Sequence, residues 1–221
     1  MFNRNNLARL GRGAVASLAI GLLATATAAA DTFVPLPGGE LTETLSDGTV
    51  VTVRLTGESA TISPSLGSTP VHRNAWVSGS AQVEVSGAGA EAGGIVIPGY
   101  VVGCQVNIAG GGVGGGVDGA SDWEGNAAAG AGASGELSLG PGQAKSFYIL
   151  DRERADDFGN ESHKVYNVFS GGSGSVTWAD QTIGLSGCGG YAQARAFVSV
   201  EIVTDRVTSW VTLWGQPFSL G

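Results

Sequence analysis

Gly110 to Gly116 reads GGGVGGG; the acidic stretch Asp118 to Glu124, DGASDWE, follows, and Gly125 to Gly140 continues as GNAAAGAGASGELSLG. Thirteen of the 33 residues from Gly110 to Gly142 are glycine. Each glycine costs a helix interior roughly 0.8–1 kcal/mol relative to alanine, which excludes a helix. Gly and Ala also bring little apolar area, so the stretch makes no core of its own. Two readings are open at this point. One is a disordered linker. The other is a long β-hairpin whose small side chains face a lumen or a neighbouring chain.

The flanking residues bear on that choice. From Tyr100 to Ile108 the even positions are Tyr, Val, Cys, Val and Ile, and Gly103, Gln105 and Asn107 alternate with them. On the return, Ala127, Ala129, Ala131, Ala133, Leu137 and Leu139 alternate with polar positions that include Asn126, Ser134 and Glu136. Weak alternation over about ten residues per strand is the sequence mark of a membrane β-barrel. It places Gln105, Asn107, Asn126, Ser134 and Glu136 on a lumen-facing side. Each arm has room for about 14 residues, or about 45 Å of strand, longer than a hydrocarbon core of about 30 Å. Val113 and Val117 fall on the opposite parity from Val106 and Ile108. A bulge among the glycines would restore the face. A lone hairpin has open edges that lipid does not tolerate, so the hairpin reading requires an oligomer.

Residues 1–30 read as a secretory signal. Arg4, Arg9 and Arg12 form a basic start, Ala14 to Leu23 an apolar centre, and Ala28 to Ala30 a small-residue cleavage site before Asp31. The apolar run is too short for a membrane anchor. The whole chain carries a net charge of −8, and loss of three Arg with the signal makes the remainder more acidic. That balance argues against nucleic acid and anionic headgroups as electrostatic partners. In an exported chain the two cysteines, Cys104 and Cys188, are expected to form a disulfide. They are too far apart in sequence for a metal site, and His72 and His163 have no ligand-like spacing, so neither a metal nor another cofactor is assigned.

Past residue 30 no helical period of useful length appears. Strand patterns recur at Thr49 to Leu55, Ala75 to Val85, Lys164 to Phe169, Ser175 to Trp178, Ala192 to Val203 and Val207 to Leu213. Turn signals precede two of them, Ser46-Asp47-Gly48 and Thr204-Asp205-Arg206. Short strands between Gly, Asp and Ser turns predict an all-β sandwich. No G-x-S-x-G elbow stands with a suitable His and acid, so no catalytic residue is assigned and an enzyme is not expected.

Several motifs in this order resemble the MspA-type porins of mycolic-acid-containing bacteria. They are LSDGTVVTV from Leu45, HRNAWVSG from His72 with Ala81 following, GYVVG from Gly99, and GAGASGELSLGPG from Gly130 to Gly142. SGSV from Ser173, GCGG from Gly187, ARAF from Ala194 and WGQP from Trp214 complete the set. The resemblance covers about 170 residues. It implies a porin domain over residues 31–221, with a β-sandwich rim and residues 99–140 as an inserted stem hairpin. Eight copies would close a 16-stranded barrel through the mycolic-acid outer membrane. It also implies passive diffusion of small hydrophilic solutes and ions, with outer-membrane lipid and further copies of the chain, or of a paralogue, as partners. The family's constriction is set by acids at the hairpin tip, and the matching acids by position are Asp118, Asp122 and Glu124. Rings of such carboxylates favour cations. Trp123 between them reads equally as an interfacial anchor or as packing against a neighbouring hairpin.

Each feature also has a plainer account. Tip acids are common because Asp and Gly make turns. The charged run Asp151 to Glu161 reads as a solvated loop that looks like an insertion. Trp76, Trp178, Trp210 and Trp214 are expected in the core or at subunit contacts. The competing function is a secreted monomeric β-sandwich that binds a partner, with the glycine-rich stretch as a flexible loop.

Overall fold

The structure, a computed structural model, describes residues 31–64, 71–106, 108, 136, 137, 139, 142–155, 157, 158 and 161–221. In chain order its strands are β1 (Thr32–Pro35), β2 (Gly39–Thr44), β3 (Thr49–Pro64), β4 (Arg73–Gly87), β5 (Gly94–Cys104), β6 (Glu136–Leu137) and β7 (Ala144–Tyr148). They continue as β8 (Arg152–Ala155), β9 (Glu161–Lys164), β10 (Asn167–Phe169), β11 (Ser173–Leu185), β12 (Ala192–Val203), β13 (Thr208–Trp214) and β14 (Phe218–Ser219). The first sheet has the order β1-β3-β4-β11-β6, with β2 also beside β3. The second has the order β10-β5-β12-β13, with β7 also beside β5 and β14 beside β12. Apart from the parallel pair β6–β11, the neighbours run antiparallel.

Alternation explains why the two sheets stack. Val51, Val53 and Leu55 of β3 point inward together with Val77 and Val83 of β4. Val96, Tyr100 and Val102 of β5 and Val198, Val200 and Ile202 of β12 meet them from the second sheet. Period-two burial on both sheets is what a sandwich core requires. Asp47 ties two turns across the edge. Its carboxylate accepts the Thr49 N–H at 3.0 Å and the Thr204 hydroxyl at 2.8 Å. The Thr49 bond first, and then the Thr204 bond, hold the Asp47 carboxyl below its ordinary pKa.

Two bulges lie side by side in the first sheet. The β3–β4 register slips between Thr56 and Ser59, and the β4–β11 register between Trp178 and Gln181. Both slips fall beside Ser78–Ser80 of β4. Gly57 supplies the left-handed φ of 62° that the first bulge needs. The extra residue reverses the parity of β3. Before it the odd positions face inward; after it Glu58 and Ala60 do.

Two expectations are corrected here. Tyr100 to Cys104, read as the start of a stem arm, lie in β5 of the sandwich, and Tyr100 is fully buried. Its ring makes edge contacts with Trp178 and Phe218 at 6.5 and 6.2 Å. Leu139, read as the end of the returning arm, is also in the core. An alternating strand looks the same whether its apolar side meets a second sheet or lipid. The second correction concerns Asp151 to Glu161. The run holds much of a two-stranded hairpin, β8 paired with β9, rather than a plain loop, and His163 Nδ1 lies 2.7 Å from Asp151 Oδ1.

Candidate functional site: the root of the glycine-rich segment

The Cys104–Cys188 disulfide, with Cα atoms 5.9 Å apart, sits where β5 ends. Beyond it the chain is laced to the loop before β12. The Gln105 N–H donates to Tyr191 O at 2.9 Å, the Gly189 N–H to Val106 O at 2.9 Å, and the Ile108 N–H to Gly187 O at 2.7 Å. The GCGG motif makes this close approach possible. A Cβ on Gly189 would lie 3.3 Å from the Ile108 side chain, and one on Gly190 3.2 Å from Gln105.

The other end returns to the same place. Glu136 and Leu137 pair with Gly184 and Leu185, just before the loop that holds Ile108. The Gly142 N–H then donates to Cys104 O at 3.2 Å. The described residues that flank 109–135 therefore lie at one place on the sandwich, which a covalent bond pins. A groove of about 870 Å³ opens beside it, lined by Gln105, Gln143, Tyr191, Gln193, Arg195 and Pro217 among others.

Of the expected site residues, the structure joins Cys104 to Cys188, exposes Gln105 at the root, and places Glu136 at the start of β6. Asp118, Asp122, Glu124, Asn107, Asn126 and Ser134 lie outside the described residues. Among the described residues no cluster of acids, His or Cys could hold a metal. No described helix is long and apolar enough to cross a membrane, which leaves strands untouched by that criterion.

One ionisable group was not foreseen. Glu58 is only 2% exposed, and neither carboxylate oxygen has a hydrogen-bond partner among the described residues. Burial pushes its pKa up to about 7. Gly215 packs against it: a Cβ there would lie 2.9 Å from Glu58 Oε2. Tyr100 is shifted up too, by burial first and then by the Glu58 charge. The available signal was Gly57-Glu58 interrupting an otherwise regular alternation.

Comparison with known protein families gives a match to the MspA family model over residues 47–219. No curated protein sequence matches the chain.

Proposed function

The chain belongs to the MspA family, whose membership implies an outer-membrane porin that works as an assembly; from that premise we propose that it forms a water-filled, cation-preferring channel for passive diffusion of small hydrophilic solutes and ions. Eight copies each supply residues 109–135 as a hairpin, and the sixteen strands close a barrel through a mycolic-acid outer membrane. The observation that carries this reading is the common root of both ends of the segment at 184–187, next to the disulfide. A hairpin must leave and return at one point, which a linker between two bodies need not do, and the family match favours the hairpin over a flexible loop.

The lengths agree. With the root at Ile108 and Glu136 and the tip at Asp118–Glu124, each arm has about 10 residues and extends about 33 Å. At a barrel tilt of 35–45° that spans roughly 25 Å, the height of the apolar band of an outer-membrane barrel. Glycine and alanine suit a wall whose neighbouring strands approach closely, and the polar positions Asn126 and Ser134 line the lumen. Asp118, Asp122 and Glu124 form rings at the tip that attract cations and repel anions.

Recording from the purified chain in planar bilayers tests the proposal. Discrete conductance steps that require a detergent-stable oligomer are expected. A monodisperse soluble monomer without conductance overturns it and favours the secreted binding protein.

A further inference from the structure

The two outer faces of the sandwich have opposite chemistry. On the first sheet Arg54 bridges Glu40 at 2.7 Å and Glu84 at 2.9 Å. Beside them Thr42 bonds Thr52 at 3.1 Å and Ser80 bonds Thr177 at 2.9 Å. That face is hydroxylated, internally paired and suited to water. On the second sheet the outward positions include Ile95, Ile97, Tyr148, Phe197, Trp210 and Trp214. Trp210 is 57% and Trp214 46% exposed. Among the outward positions of β5, β12 and β13 only Arg195 and Glu201 are charged, and none is Lys.

The aromatic part is already rigid. Tyr148, Phe197 and Trp214 form a row across three strands, with centroids 6.0 and 5.8 Å apart. The row passes over Gly99, where a Cβ would come 2.5 Å from the Phe197 ring, so the missing side chain lets Phe197 lie down on the sheet. Arg195 stacks 5.1 Å from the Trp214 ring centre and donates to Gly215 O at 2.9 Å. Side chains held this way lose little conformational entropy when a partner arrives. Four strands wide and about six residues long, the face covers on the order of 400 Å² in plan. The largest apolar patch on a protein is commonly of about this size and is often functional.

We propose that this outward face of the second sheet is the surface by which one copy of the chain packs against the next. The inference rests on reading the protein as an assembled porin. Two observations favour a second copy over lipid as the occupant. Aromatics with Arg and without Lys, around the hydrogen-bonded pair Ser199–Thr212 at 2.7 Å, are the composition of a protein interface core. Arg195 and Glu201 in the middle strand would be costly against hydrocarbon. The face also includes β5, the strand that leads to the root of the segment whose barrel neighbour must be another copy. In a closed ring the contact is heterologous, so the face meets a different surface of its neighbour.

Trp210→Glu and Trp214→Glu each place a carboxylate in this face. Light scattering on the full chain in detergent should show both variants as protomers, with wild-type far-UV circular dichroism. Ser80→Glu, on the outer face of the first sheet, should assemble normally. As a second measurement, p-benzoylphenylalanine in place of Trp210 should give covalent dimers on irradiation of the assembled protein. Wild-type mass in both Glu variants, with no covalent dimer from position 210, overturns this inference and leaves the porin reading standing. Quenching by brominated lipid that disappears in Trp210→Phe means that lipid covers the face, and overturns it as well. A wild-type chain that is itself monomeric and non-conducting overturns both readings.

Discussion

Replacing Glu58 by Gln should change how stability depends on pH, by an amount the structure sets. The folded carboxyl titrates at about 7, against 4.5 for the ordinary group, because it is buried with no partner among the described residues. Between those values the folded chain keeps a proton that the unfolded chain has lost. Stability therefore falls as pH rises from about 4.5 to about 7, and levels off above. The shift is equivalent to roughly 3 kcal/mol. Glutamine keeps the shape and removes the ionisation. At pH 8 the variant should be the more stable by up to about 3 kcal/mol, less whatever its own unbonded amide costs. For a domain of this size that is an increase in Tm of roughly 6–12 °C. At pH 4, where the wild-type side chain is neutral too, the two proteins should nearly coincide. Guanidinium or thermal unfolding of the whole oxidised chain at several pH values reads this directly. Parallel wild-type and Glu58→Gln curves across pH 4.5–7 would refute the reasoning, because they would mean that Glu58 reaches water or a cation in solution.

Other outcomes follow from the root and the segment it holds. Cys104→Ala with Cys188→Ala should lower stability by about 4–5 kcal/mol, the chain-entropy value for a loop of this length; equal denaturation midpoints for the variant and the oxidised wild type would contradict it. Replacing residues 109–135 by a short Gly-Ser turn should leave the far-UV spectrum of a sandwich and abolish conductance, and a deletion that still conducts would put the stem elsewhere. Asp118→Asn with Asp122→Asn and Glu124→Gln should shift the reversal potential in a salt gradient towards no selectivity. The change should be largest at low salt and small at 1 M, where the Debye length is about 3 Å. An unchanged reversal potential at low salt would move the filter to other residues, Glu136 first.

Much of the sandwich was legible because its strands alternate regularly. Ala192 to Val203 was read with the bounds that β12 has, and the turns at Asp47 and Asp205 lie where their residues predicted. Thr49 to Leu55 was read too short, because β3 continues through the bulge at Gly57–Glu58, which breaks the period without ending the strand. The same break hid Glu58, whose inward direction depends on a parity reversal visible only once β3 and β4 are paired. Tyr100 to Cys104 was assigned to a stem arm since alternation does not say what the apolar side touches. The paired cysteines were legible from compartment and count. That the returning end, Glu136 and Leu137, pairs beside them was not, because its partners Gly184 and Leu185 are distant in sequence.

The root also orders events in time. The two six-stranded sheets find their pairings among the described residues, so on the proposed porin reading the sandwich would be complete before residues 109–135 entered a membrane. The disulfide then pins a sandwich that is already complete, and a glycine- and alanine-rich segment is too weakly apolar to draw it prematurely into aggregates. An oxidised monomer trapped before insertion should already show slow amide exchange in β5 and β12. Its maturation would be a handover from a water-soluble traveller to a membrane resident, with the strands that carry the traveller left unchanged by the crossing.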